Sequence, residues 1–394
     1  MLKSNLKIVK AMLFNLYRKA AGYPVCINAN KADSNQLRKR ALLIYLSQPF
    51  KFKQSDRRFY LHQNYKQSIQ IANILGDLGF IVDVADFRDL RFKPTHYYDI
   101  LISHRLNLNT LEQHFRRTKL KIYLATGMNP VFQNKYIKDR YRLLEQRRQC
   151  SLKQIRLCDT NMSFLKNANA IVMIGNKVIA DSWKNGFTKD IYLINNYCFS
   201  DIAISPHIIS TTTKNNFLYF ASSGNVLKGL DWLLEIFPRH PELHLTICGD
   251  FLKEDDFLKC YSKELFATRN INPIGWVNLF SNSYKKIIAN NTFIIHPSCA
   301  EGQPGSVLQC MQAGLIPIVT KNCGIDTEDF GFTLNEDSLE ELEKLIKRVT
   351  NLSILELQEL QQKMLIALKI KFSESAFIVN WTNILTIITK ALHD

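Results

Sequence analysis

The residues best placed for chemistry lie at 296–319, His-Pro-Ser-Cys-Ala-Glu-Gly-Gln-Pro-Gly-Ser-Val-Leu-Gln-Cys-Met-Gln-Ala-Gly-Leu-Ile-Pro-Ile-Val. The segment reads as strand, loop, helix, turn, strand. Pro304 suits the first turn of that helix, where its missing N–H costs no bond. Gly305 and Ser306 leave backbone N–H groups open at the helix start, where the dipole favours an anion. Glu301 stands just before it, at the carboxyl end of a parallel strand, the edge at which open α/β sheets bind ligands. A carboxylate there can accept hydrogen bonds from hydroxyls such as those of a sugar, and the helix start can hold an anion such as a diphosphate. Gly314 ends the helix.

Two further segments carry residues of the same kind. Ala221-Ser-Ser-Gly-Asn-Val-Leu-Lys-Gly229 follows an apolar run and leads into a helix. Gly224 permits a sharp turn and a close approach to phosphate, and Lys228 supplies a point charge for it. Ile274-Gly-Trp-Val277 follows another strand and brings Trp276 and Val277 to its end; a packed core Trp fits the pattern equally. In the first half the signal is thinner. His104 and Thr126-Gly127 each follow a strand, so both loops are expected to open toward a cleft. His104 and Gly127 are candidates for lining that cleft, and a core histidine is the plainer reading of His104.

The 296–319 stretch resembles the E-x7-E region of the group 1 (family 4) retaining glycosyltransferases of GT-B architecture, with Glu301 at the first Glu and Gln309 at the second. In that family the first Glu contacts the donor sugar and the second the ribose. Lys228-Gly229 match the K-G of a segment whose Arg and Lys hold the donor diphosphate; Ser223 stands where the Arg would be. The Trp276 segment is similar to the family's stretch beside the nucleotide base. The resemblance implies Glu301 and Lys228 as catalytic residues. It implies Gly224, Lys228, Trp276, Val277, Glu301, Pro304, Gly305, Ser306 and Gln309 as the donor site. It also implies a UDP- or GDP-linked sugar as donor substrate, no bound cofactor, and transfer of a hexose with retention to a glycan or lipid-linked acceptor, in cell-surface polysaccharide synthesis. No Asp-x-Asp motif occurs to hold a divalent cation, so no metal is expected. Ser223 and Gln309 motivate an alternative, a GT-B-fold nucleotide-sugar-binding protein that no longer transfers.

The elements that must position these residues repeat one pattern, short apolar runs alternating with helices, the mark of parallel sheets with crossover helices. The fold class expected is α/β, with two Rossmann-like domains facing a cleft and a helical C-terminal segment. Strands are predicted at 41–46, 80–85, 99–103, 121–124, 170–174 and 191–194, and again at 217–221, 243–248, 272–274, 292–295 and 316–319. Helices are predicted at 62–78 and 132–149, and three in succession over 337–393. The Ser-, Thr- and Asn-rich stretch 200–216 reads as a linker. The expected divisions are a basic amphipathic extension (1–38), a first domain on the acceptor side (39–199), the linker, a nucleotide-sugar domain (217–372), and a last helix (373–394) packing back on the first domain.

Charge separates the halves. Residues 1–200 hold 34 Lys and Arg against 13 Asp and Glu, and residues 201–394 hold 17 against 22. Clusters at 1–60 and 116–156 dominate, a field that attracts an anionic partner. Leu2, Leu6, Val9, Leu13 and Leu16 follow a helical period beside Lys3, Lys7 and Lys10, which makes an anionic membrane surface a candidate partner. No nucleic acid is expected, because the aromatic residues show no interleaved stacking pattern and no binding motif occurs. No run of eighteen apolar residues occurs, and the N-terminus lacks the features of a secretory signal. A cytoplasmic location is expected, peripheral on the membrane face. The nine cysteines, odd in number and without C-x-x-C spacing, are expected to be reduced and mostly buried.

Overall fold

The computed structural model describes residues 23–32, 39–53, 55–202 and 205–390. The basic amphipathic segment at 1–20 lies outside the described residues. Two six-stranded sheets organise the rest. The first is built from β1 (Arg40–Tyr45), β2 (Ile81–Asp86), β3 (Ile100–Ser103), β4 (Leu120–Ala125), β5 (Ala170–Ile174) and β6 (Asp190–Ile194), in the order β2-β1-β3-β4-β5-β6. The second is built from β7 (Asn216–Ala221), β8 (His244–Gly249), β9 (Ile271–Gly275), β10 (Phe293–His296), β11 (Ile316–Val319) and β12 (Phe332–Thr333), in the order β12-β11-β10-β7-β8-β9. Every pairing within the two sheets is parallel. The α/β architecture read from the sequence is the observed one.

The central strands β1, β3, β5, β10 and β11 are largely apolar runs because crossover helices cover both faces of a parallel sheet. Ala41 to Tyr45 have no exposed surface at all. One face of the first sheet packs on the helix Gln63–Asp77 and on Phe377, Trp381 and Leu385 of the last helix, Glu374–Lys390. Gly79, at φ +89, ends the helix Gln63–Asp77 and turns the chain into β2. Asn129 caps the helix Pro130–Arg148 through the Val131 N–H at 3.0 Å, with Pro130 as its first residue. The helix Ile354–Lys371 starts on a capping box of Ser353 and Glu356.

The helix Pro130–Arg148 corrects part of the charge reading. Three of its arginines turn inward onto the second unit. Arg140 is 3% exposed, with its guanidinium 3.2 Å from the centre of the Trp232 ring, 3.5 Å from Asp231 and 3.3 Å from the Pro297 carbonyl oxygen. Arg147 pairs with Asp231 at 3.1 Å and Glu235 at 2.9 Å, and Arg148 with Glu264 at 2.8 Å. This portion of the basic cluster is neutralised within the chain. A second correction concerns sulfur: Cys150 and Cys260 form a disulfide that joins the same two units. Their separation of 110 residues carries no motif that would announce a pair. Of the free cysteines, Cys198, Cys248, Cys299, Cys310 and Cys323 are buried.

Candidate active site

The carboxyl ends of strands from both sheets meet at a cavity of about 610 Å³. Ser222 follows β7, Asp250 follows β8, Trp276 follows β9 and Thr126 follows β4, and all four line it. The two units touch along its floor. Gln303, 6% exposed, accepts from the Asn196 N–H at 2.7 Å and donates to Asn195 Oδ1 at 2.7 Å. The backbones of Thr126-Gly127 and Glu301-Gly302 lie directly against each other; a Cβ on Gly127 would stand 3.2 Å from the Gly302 nitrogen. A Cβ on Gly302 would collide with the Thr126 carbonyl. Glycine at 302 is what allows the approach.

Glu301 is the electrostatic centre. His296, at the end of β10, lies 2.6 Å from Oε2 through Nε2, and Lys228 lies 3.4 Å from Oε1. Burial opposes ionisation of Glu301, but Lys228, His296 and Arg156 outweigh it and hold the carboxyl down at about 2. Glu301 is therefore a carboxylate at neutral pH. Since the carboxylate accepts, the His296 proton facing it is on Nε2; Nδ1 is buried without a partner. Lys228, 4% exposed, also donates to Ser222 Oγ at 2.9 Å. An ammonium has three protons, so this leaves one for a ligand.

This arrangement fixes a pH dependence. The Glu301 pKa is lower folded than unfolded, so its contribution to stability is complete above the ordinary value of 4.5 and is lost as pH falls toward about 2. Glu301→Gln is expected to flatten the stability–pH curve between pH 5 and 3 relative to the parent, as measured by thermal melts across that range. Parallel curves would mean that Glu301 is not held as described.

The helix Gly305–Gln312 begins beside the carboxylate. Pro304 occupies its N-cap in extended conformation rather than its first turn; Gly305 is the first helical residue. This shifts the expectation by one position, because the Val307 and Leu308 N–H groups bond back to the Pro304 carbonyl. The first-turn N–H groups of Gly305 and Ser306 have no acceptor within the helix, and both residues line the cavity. Gln309, one turn on, is 4% exposed, lines the cavity, and has a buried side-chain N–H₂ without a partner. An orphaned buried donor at a cavity wall is costly unless something fills it. Trp276 is 61% exposed on the cavity wall with Val277 beside it, which decides against a packed core Trp.

The sequence-derived residues Lys228, Trp276, Val277, Glu301, Pro304, Gly305, Ser306 and Gln309 all converge on this cavity. Three do not line it. Gly224 makes its turn at φ +102, but its N–H donates to Glu254 Oε1 at 2.6 Å and the Asn225 N–H to the same oxygen at 3.2 Å. A carboxylate already takes the donors that a phosphate was expected to find. His104 is packed among the rings of Tyr45, Phe87 and Tyr123, with Nδ1 2.9 Å from the Leu124 carbonyl oxygen. Gly127 serves the contact with Gly302.

Three cavity-side residues escaped the sequence reading. Arg156 is one, and His296 supports Glu301 from five residues upstream. His62 lines the cavity from the start of the helix Gln63–Asp77, accepting the Asn64 N–H on Nδ1 at 3.2 Å. Burial, then the charges of Arg156, Arg88 and Lys228, press His62 down to about 4, so it is neutral, with its proton on Nε2. A histidine within a basic run, far from any strand end, gave no sequence signal.

Residues 204–364 match the family model described as Glycosyl transferases group 1. That match falls on the second unit. The whole fold is similar to that of a sucrose-phosphate synthase from Thermosynechococcus elongatus, 10% identical, over 90% of this chain and 100% of that one, with a TM-score of 0.62. It is also similar to the apo lipopolysaccharide outer core galactosyltransferase WaaB (14% identical, 89% and 99% covered, TM-score 0.60) and to Anabaena HepE in complex with UDP and glucose (11% identical, 90% and 100% covered, TM-score 0.55). The two-sheet fold is thus the GT-B fold. No curated protein sequence matches the chain. Among the described residues no helix is long and apolar enough to cross a membrane.

Proposed function

We propose that this chain transfers a hexose from a UDP- or GDP-linked donor to a glycan or lipid-linked acceptor, with retention of anomeric configuration and without a metal ion. The observation that carries this is the convergence of Glu301, Lys228, the Gly305–Ser306 helix start and the unpaired Gln309 amide on one cavity. The ribose would satisfy Gln309, the base would lie against Trp276 and Val277, and the diphosphate would meet Lys228 and the helix start. The acceptor hydroxyl attacks the anomeric carbon on the face that the diphosphate leaves. The bond from that carbon to the phosphate oxygen breaks, the new C–O bond forms, and the hydroxyl proton passes to the departing phosphate oxygen. Charge growing on that oxygen is met by Lys228 and the helix dipole. Glu301 accepts from sugar hydroxyls and faces the positive charge that develops on the ring.

Arg57 and Arg58 stand at the first unit's rim of the cavity, which suits an acceptor carrying phosphate at the cytoplasmic membrane face, in surface-polysaccharide assembly. Pelleting with anionic but not neutral vesicles tests the membrane part. The donor part is tested by NMR of the products from a panel of UDP- and GDP-sugars with phosphorylated glycan acceptors. An α-linked product from an α-donor is expected. Lys228→Ala is expected to raise the donor KM by about ten- to a hundredfold; an unchanged KM would remove Lys228 from the donor site. A second reading, binding without transfer, is favoured by one observation: Glu254 occupies the Gly224 and Asn225 N–H groups. It predicts micromolar nucleotide binding with no product in any pairing.

A further inference from the structure

The charge that the second unit itself brings to the cavity is incomplete for the ligand proposed above. Lys228 is bound to Ser222 and paired with Glu301, so its one charge already answers one carboxylate. The nearby donors of Gly224 and Asn225 face Glu254. A diphosphate brings at least two further negative charges, and each one left uncompensated beside the buried Glu301 carboxylate is costly. A second cation is required, and position 223, a serine, does not supply it.

Arg156 is placed to do so. It belongs to the first unit, in the loop that follows the helix Pro130–Arg148, and it lines the same cavity as Lys228. Its backbone is at φ +67, a left-handed conformation uncommon for a residue with a side chain. The loop is fastened there: Gln133 Nε2 donates to the Arg156 carbonyl at 3.1 Å, and Asn134 holds Cys158 by two bonds of 2.8 Å. The side chain runs over Gly224, with Cγ 3.3 Å from the point that a Cβ on Gly224 would occupy. The charge is felt at Glu301 and at His62, lowering the pKa of both. Among the described residues, the guanidinium itself has no hydrogen bond or ion pair.

We propose that Arg156 is the second cation of the diphosphate site, reaching from the first unit across Gly224 to the phosphates held by Lys228 and the Gly305 helix start. The inference rests on the donor-site reading above. Its consequence is that donor bound to the second unit engages a loop of the first, so the site is complete only with both units in place. A planar guanidinium gives two parallel bonds to a phosphate.

The test is calorimetric titration of the full chain and its Arg156→Ala and Arg156→Lys variants with UDP and GDP, beside thermal melts without ligand. Arg156→Ala is expected to weaken the preferred diphosphate by about ten- to a hundredfold, Arg156→Lys to recover part of the loss, and the ligand-free melting temperatures to coincide. Equal affinity in the alanine variant overturns the proposal. So does a loss that lysine does not relieve and that comes with a lowered melting temperature, since that marks a structural role. Absence of binding in the parent chain sinks the donor-site reading itself, and this proposal with it.

Discussion

Glu301→Gln is expected to lower kcat on a productive donor–acceptor pair by about 10²- to 10³-fold, with donor KM within about threefold of the parent. The amide keeps the size and one acceptor oxygen of the carboxylate but not its charge. The cavity is built around that charge: His296 and Lys228 both lie against it and keep it ionised. Ground-state contacts with sugar hydroxyls survive in part, whereas stabilisation of a positive sugar ring does not. The loss therefore falls on turnover. Steady-state kinetics of the two proteins check this, and full kcat in the variant would assign Glu301 to positioning Lys228 alone.

Arg140→Ala is expected to destabilise the protein by about 3 kcal/mol. Arg140 and Asp231 are both buried, and removing the guanidinium leaves the Asp231 carboxylate in the interior with Arg147 as its remaining partner. Asp231 already resists ionisation: burial raises its pKa against the pull of Arg140 and Arg147. The stacking on Trp232 is lost as well. Adding Asp231→Asn is expected to return part of the deficit, because the unpaired charge is then gone. Thermal and urea unfolding of the single and double variants measure it. A single variant as stable as the parent would show that the clasp between the helix Pro130–Arg148 and the second unit contributes nothing.

Much of the frame was legible because parallel strands buried on both faces write unbroken apolar runs. The ends of β1 to β11 fall within a residue or two of where those runs stop, whereas β12, two residues long, left no pattern. The second-unit site was legible for a related reason. Its residues stand immediately after strands or at a helix start, where chain order alone places them at a carboxyl edge. What stayed hidden depends on chain segments that are distant in sequence. The capture of Gly224 by Glu254 joins residues 30 apart, and the Arg140–Asp231 pair joins residues 91 apart. The Arg156 approach to Gly224 crosses between units. Basic residues at 116–156 looked alike in sequence, yet three of their arginines face acidic side chains of the second unit and Arg156 faces the cavity. His104 followed a strand as a site residue should, but the rings of Tyr45, Phe87 and Tyr123 enclose it.

The most direct test of the central claim, a nucleotide-diphosphate site centred on Lys228 and the Gly305 helix start, is calorimetric titration of the purified chain with UDP and with GDP. Micromolar binding of one of the two, abolished or strongly weakened in Lys228→Ala, is the predicted result and identifies the base. Binding of neither, at concentrations up to the millimolar range, would contradict it.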